Sequence, residues 1–173
     1  AMSDFYRNSL SQGQFIIPLH QELLLTEQYL YIQNLRYMDF VDYEITYEPS
    51  WEDHGTEIPK LTIQPVVENI FVHGLTSQMC HIHLNISIRN DTIFISVSDN
   101  GSGIPPEKLA ELNRSIRDFK TARHSFGLPS INHRIALLYG ENYGLSIESS
   151  PENGTTVTIA IPDTKPDLGG NIK

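Results

Sequence analysis

Two runs of alternating residues, folded back on each other by a two-residue turn, constrain this chain more than any other feature. Ile82, Leu84, Ile86 and Ile88 take every second position, Asn90 and Asp91 follow, and Ile93, Ile95 and Val97 resume the alternation. A period of two sends these side chains to one face of a sheet, and Asn and Asp suit the turn of a hairpin. A second pair of runs, Leu145–Glu148 and Thr156–Ile161, alternates around Pro151, Glu152, Asn153 and Gly154 and predicts another hairpin.

Helical periodicity surrounds these strands. Leu19, Leu23, Leu24, Leu30, Tyr31 and Leu35 predict an amphipathic helix over Pro18–Tyr37, with Glu22, Glu27 and Gln28 between them. Tyr43–Tyr47 reads as a strand, Glu48–Pro59 as a loop, and Ile63, Val66, Val67, Ile70 and Phe71 as the stripe of a second helix over Leu61–Leu75. Pro65 is tolerable there only within the first turn. The chain is polar and irregular from Pro106 to Arg123 apart from a short helix over Pro106–Leu112, and Pro129–Tyr139 forms another helix closed by Gly140. Antiparallel pairs with interspersed helices, without regular strand–helix alternation, predict an α+β two-layer sandwich with one sheet face covered.

At 173 residues and 39% hydrophobic content the sequence suits one globular domain. Lys and Arg total 12 against 21 Asp and Glu, and the net charge of -9 argues against nucleic-acid or anionic-membrane partners, which require basic surface. No apolar run approaches the ~20 residues that span a bilayer. Cys80 is the sole cysteine and reads as a buried, inert thiol in a reducing compartment.

Three short segments carry chemistry. Asp99, Asn100, Gly101, Ser102, Gly103, Ile104 and Pro105 follow a strand; a carboxylate there can accept a hydrogen bond from an exocyclic amine, and the glycines let a flat ring approach the backbone. Asn69 and His73 lie four apart on one helical ridge, and an Asn carbonyl is a hard oxygen suited to magnesium. Ser125, Phe126, Gly127 and Leu128 lead into a helix whose free amides suit phosphate. Alone, each is equally a glycine-rich turn, a surface histidine or a loop-to-helix junction. His81 and His83 share a strand face, but with no third ligand evident they read as solvent-facing.

In their order, these motifs resemble the catalytic domain of histidine kinases of the LytS/YesM type, over about Phe5 to Pro162. Pro59 through Asn69 with His73 and Gly74 resemble that family's N box, and Asp99 to Pro105 its first glycine box. Gly127 and Leu128 with Arg134, Tyr139 and Gly140 resemble the second, and Gly154 and Thr155 with Ile161 and Pro162 the closing strand. The resemblance implies the Bergerat fold, with ATP and magnesium as cofactors. Asp99 would hold the adenine amine, Asn69 the magnesium, and Gly101, Gly103 and Ile104 the approach of the nucleotide. Gly127 and Leu128 would meet the phosphates beneath a lid over Pro105–Phe126, His73 would face the nucleotide, and Thr155 would add a contact near the base.

The resemblance further implies residues 1–37 as a linker and helix following a dimerisation and phosphoacceptor region, 38–163 as the ATP-binding domain and 164–173 as a tail. Its partners would be the phosphoacceptor histidine of its own full-length dimer and a response regulator, in the cytoplasmic part of a bacterial plasma-membrane protein. No histidine here lies in the family's phosphoacceptor context, so this chain is expected to bind ATP without phosphorylating itself. Ser125 and Ser130 replace a glycine and an asparagine usual in the family. Where gyrase-like ATPases carry a general-base glutamate one turn before the asparagine, this chain has Pro65. Glu68 is adjacent to Asn69 but turned ~100° from it on a helix, which favours a structural hydrogen bond over a catalytic role.

Overall fold

Asn90 and Asp91 both adopt left-handed backbone, with φ of 49° and 56°, the conformation that closes a two-residue hairpin with the twist of its strands. They join β4 (Cys80–Arg89) to β5 (Thr92–Asp99), which pair antiparallel from Arg89↔Thr92 to Ile82↔Asp99. The structure, a computed structural model, describes residues 15–37, 40–49, 51, 55–76, 78–118 and 127–163. Around the hairpin the sheet grows to five strands. β2 (Val41–Tyr47) runs parallel to β4, β7 (Thr155–Pro162) antiparallel to β5, and β6 (Gly144–Ser149) forms the far edge against β7. The parallel pair requires a crossover, and that crossover carries β3 (Glu57–Pro59), paired with β1 (Ile16–Pro18), and the helix α2 (Gln64–Asn69).

Register turns alternation into a core. Leu84, Val97, Val157 and Ile147 form one cross-strand row, and Ile86, Ile95, Ile159 and Leu145 the next. Most of these side chains are fully buried beneath α1 (Leu19–Tyr37), α2, α3 (Pro106–Arg117) and α4 (Leu128–Tyr139). The residues between them are polar and face away from the helices: Thr46 Oγ1 lies 2.8 Å from His83 Nε2 and donates to Asn85 Oδ1 at 2.8 Å. This is the expected two-layer α/β sandwich, with a mixed sheet and helices on one face.

Three elements depart from the sequence expectation. The short strand β3 lies within the stretch read as a loop. The helix predicted over Leu61–Leu75 is α-helical only for Gln64–Asn69 and widens into a π-helical turn over Ile70–Gly74. The segment read as irregular beyond Leu112 continues as α3 to Arg117. Only Leu109, Leu112 and Ile116 mark its packed face, a stripe narrow enough to be overlooked among charged neighbours. Half of the six residues predicted to form the apolar stripe of α1 are not core: Leu24, Tyr31 and Leu35 are exposed, whereas Glu22, expected on the polar face, is 1% exposed.

The Glu22 carboxylate accepts three backbone N–H bonds, from Leu61 at 3.2 Å, Thr62 at 2.9 Å and Ile63 at 3.1 Å. These amides belong to the turn that leads into α2 and to its N-cap residue Ile63, which supplies no side-chain cap. Arg134 of α4 donates to the carbonyls of Lys60 at 3.0 Å and Leu61 at 2.7 Å, so a leucine held at φ 59° is gripped at both its amide and its carbonyl. At the other end of the α2 segment, Phe71 stacks on Tyr37 (centroids 5.7 Å apart) and meets Tyr29 edge-on at 5.9 Å. Both contacts come from α1. Glu22→Ala strands buried donors that each cost about 1–3 kcal/mol when unpaired, so a loss of about 3 kcal/mol is expected, read as a lower urea midpoint at unchanged slope.

Candidate functional site

Positions 93, 95, 97 and 99 share one face of β5, so the carboxylate of Asp99 is delivered to the helix-covered side at the end of an otherwise apolar row. Its partners across the sheet are Ile82 on one side and Thr155 then Ser149 on the other. Burial raises the Asp99 pKa, while hydrogen bonds from the Gly101 and Thr155 backbones pull it back. Gly101 N donates to Oδ1 at 2.8 Å. Ser149 Oγ organises the rim, accepting from Ile104 N at 2.8 Å, donating to Gly154 O at 2.8 Å and lying 2.9 Å from Thr155 Oγ1.

Close backbone packing holds this corner together. A Cβ on Gly101 would lie 2.1 Å from Gly74 O, one on Gly103 (φ 67°) 1.9 Å from Ser150 O, and one on Gly154 (φ 76°) 1.8 Å from Asp99 O. None of the three can carry a side chain without moving main chain.

Over Asp99 opens a cavity of about 570 Å³. Its apolar walls come from Val66 and Ile70 of the α2 segment and from Val97, Ile147 and Val157 of the sheet, its polar groups from several separate elements. Asn69 and His73 both reach it, one at the last α-helical residue and one in the π-helical turn, together with Gly103, Ile104 and Thr155. Gly127, with φ 85°, starts α4 and lines the cavity with Leu128. The fourth wall is α3, through Lys108 and Leu112. Buried Asn132 of α4 fixes that helix by donating from Nδ2 to Ile116 O at 2.9 Å while its Oδ1 accepts from Leu145 N at 2.7 Å.

Of the residues singled out in the sequence, Asn69, His73, Asp99, Gly103, Ile104, Gly127, Leu128 and Thr155 therefore meet at one cavity. Gly101 packs behind Asp99 rather than lining it. Glu68 does not line the cavity; its Oε1 accepts from Gln64 Nε2 at 2.8 Å, the structural bond expected from its direction on the helix. Ser125 and the second half of the expected lid lie outside the described residues, and the first half is the ordered helix α3. Lys108 and Ser149 went unnoticed in the sequence. Ser149 could have been found from its register opposite Thr155, since a polar residue ends that apolar row too.

His81 and His83 stand on the outer face, His81 Nδ1 being 3.7 Å from the exposed Asp42 carboxylate. No group of three or more metal-ligating side chains occurs among the described residues.

A two-layer sandwich whose covered face ends in a half-buried carboxylate, beside an asparagine-bearing helix and a glycine-led helix start, defines a class of nucleotide-binding ATPase. Residues 50–165 match the family of histidine kinase-, DNA gyrase B- and HSP90-like ATPases, and the chain belongs to that family. Residues 1–41 match the histidine kinase family. Among curated proteins it is similar to the sensor protein kinase HptS of Staphylococcus aureus, 29% identical over 161 residues. That alignment takes in 93% of this chain but only 31% of the relative, so the chain spans about a third of its curated relatives' length. The fold is shared with the catalytic domain of histidine kinase ThkA (TM-score 0.60, 15% identity, 86% of this chain and 95% of that one). It is shared also with the histidine kinase domain of a blue-light activated kinase from Erythrobacter litoralis (TM-score 0.54, 17% identity, 84% and 61%).

Cys80 is buried at the start of the strand next to Asp99. Burial, with the Asp99 charge adding to it, pushes this thiol up to about 11. At pH 8 the native thiol is expected to stay unmodified by a thiolate-selective reagent and to react in full once the chain is unfolded. Rapid modification of native protein would contradict this.

Proposed function

We propose that this chain is the ATP-binding kinase domain of a two-component sensor histidine kinase, transferring the γ-phosphoryl group of ATP to a histidine outside the chain. The observation that carries the proposal is that Asp99 and Asn69, far apart in sequence, open onto one cavity. The half-buried carboxylate is suited to an adenine amine, and the valine and isoleucine walls to the flat base. Gly127 and the start of α4 offer backbone amides to phosphate.

The donor set also suits magnesium. Asn69 contributes one neutral hard oxygen, which matches an ion that completes its shell from phosphates and water. Asn69 would hold it, and magnesium when bound would supply charge neutralisation along the polyphosphate.

Among the described residues lining the cavity Asp99 is the one carboxylate. With Pro65 in the first turn of α2 and Glu68 bonded to Gln64, no carboxylate besides Asp99 lines the cavity among the described residues, which favours transfer to an acceptor over hydrolysis. An imidazole is its own nucleophile: its nitrogen bonds to the γ-phosphorus as the bond to the bridging oxygen breaks, and ADP leaves. The domain's own work is positioning and electrostatic stabilisation. In the parent protein, residues 38–163 act as the ATP-binding unit and residues 1–37 connect it to the dimerising phosphoacceptor region. The phosphoryl group then passes to a response regulator. That parent is a membrane sensor with this part on the cytoplasmic side; no helix of the described residues is long and apolar enough to cross a bilayer.

Mixing this chain with labelled ATP, magnesium and a separate segment bearing the family's acceptor histidine is expected to label that segment. ATP binding without transfer would instead make this a regulatory nucleotide-binding module. Asp99→Asn should abolish transfer and weaken ATP binding by more than tenfold, on the order of one lost charge-assisted bond. It should leave the fold intact or slightly more stable. Because the folded pKa of Asp99 lies above its unfolded value, ionising it as pH rises costs the fold stability, and the amide removes that cost. Calorimetry showing unchanged ATP affinity would remove the carboxylate from base recognition. Asn69→Ala should flatten the magnesium dependence of ATP binding, and a titration as steep as the wild type's would exclude the assignment.

A further inference from the structure

Among the described residues lining the cavity, one side chain carries a permanent positive charge. Lys108 lines the cavity from α3. It is one turn before Leu112, which lines the same wall, so this face of the helix is turned to the cavity. The helix is anchored through Ile116 to Asn132.

The other described cations of the chain are engaged elsewhere or lie off the cavity. Arg134 is bonded to the Lys60 and Leu61 carbonyls, Arg36 lies over the Tyr37 ring, Arg89 is 3.7 Å from Glu48, Arg114 Nε donates to Ala110 O, and Arg117 is not a lining residue. Lys60 is buried and does not line the cavity. A triphosphate brings roughly four negative charges at neutral pH, into a site that already holds the Asp99 carboxylate, in a chain of net charge -9. A single divalent ion offsets half of the ligand's charge. The rest calls for a permanently positive side chain, and among the described lining residues Lys108 is the only one. The ammonium on its flexible four-carbon stem acts as a point charge that needs no fixed geometry.

We propose that Lys108 is a specificity-determining residue of the nucleotide site, contacting the phosphates and selecting a polyphosphate over the bare nucleoside. This rests on the nucleotide reading of the cavity. It assigns the two ends of the ligand to different residues, Asp99 to the base and Lys108 to the phosphates, so their substitutions must have different signatures.

Chemical-shift titrations of the whole chain with ATP, ADP and adenosine, in magnesium, separate them. Lys108→Ala is expected to weaken ATP on the order of tenfold, the scale of one partly exposed charged hydrogen bond, and to leave adenosine within twofold of the wild type. Lys108→Arg, which keeps the charge, should recover most of the ATP affinity. Asp99→Asn should weaken all three ligands together. ATP binding unchanged in Lys108→Ala, or a loss shared equally by adenosine, overturns the proposal while leaving the site's identity standing. Indifference of every ligand to Asp99→Asn overturns the nucleotide reading and this proposal with it. The side chain is exposed, so the variant is expected to fold, and its unperturbed spectrum away from the cavity verifies that.

Discussion

The turn from Lys60 to Ile63 is the point on which the site is hung, and one buried carboxylate holds it. Glu22 satisfies three consecutive amides that no local side chain caps, and Arg134 takes two carbonyls of the same turn. A leucine in left-handed backbone costs on the order of 1–3 kcal/mol, and it persists because helices remote in sequence fix its amide and carbonyl together. The direction in which α2 leaves this turn decides where Asn69 ends. The family resemblance includes Arg134, and its structural reason is here: it is not among the cavity-lining residues, yet it holds the turn that leads into the helix that is.

The other half of the site is a matter of register. β5 alternates inward at Ile93, Ile95 and Val97, and the fourth inward position is Asp99, so the rule that builds the core also presents a carboxylate at its edge. Thr155 and Ser149 continue that row on β7 and β6, converting the last rung of an apolar sheet into a polar rim. Glycines at 101, 103 and 154 allow three loops to converge there at distances a Cβ would forbid. Burial raises the carboxylate's pKa, and the backbone hydrogen bonds from Gly101 and Thr155 offset part of that rise.

Much of this was legible in the sequence because alternation and turn chemistry act locally. The β4–β5 hairpin, its Asn90–Asp91 turn, the β6–β7 pair and the α4 start follow from spacing alone, and the order of motifs groups Asp99, Asn69 and Gly127, which line one cavity. What could not be read is long-range. Glu22 looks like one more charged residue on an amphipathic helix until the turn some forty residues away is laid against it. The π-helical turn after Asn69 has no local signature, and β3 exists only because β1 lies beside it. Lys108 sits in a run of charged residues, and nothing in the run says which one faces inward.

The two-ended attachment of α2 to α1, through Glu22 before Asn69 and through Tyr29 and Tyr37 on Phe71 after it, has a mechanical consequence. A helix held at both ends by the same neighbour has its slide and its tilt set together, so α1, which supplies no cavity-lining residue among those described, fixes the placement of position 69 from behind.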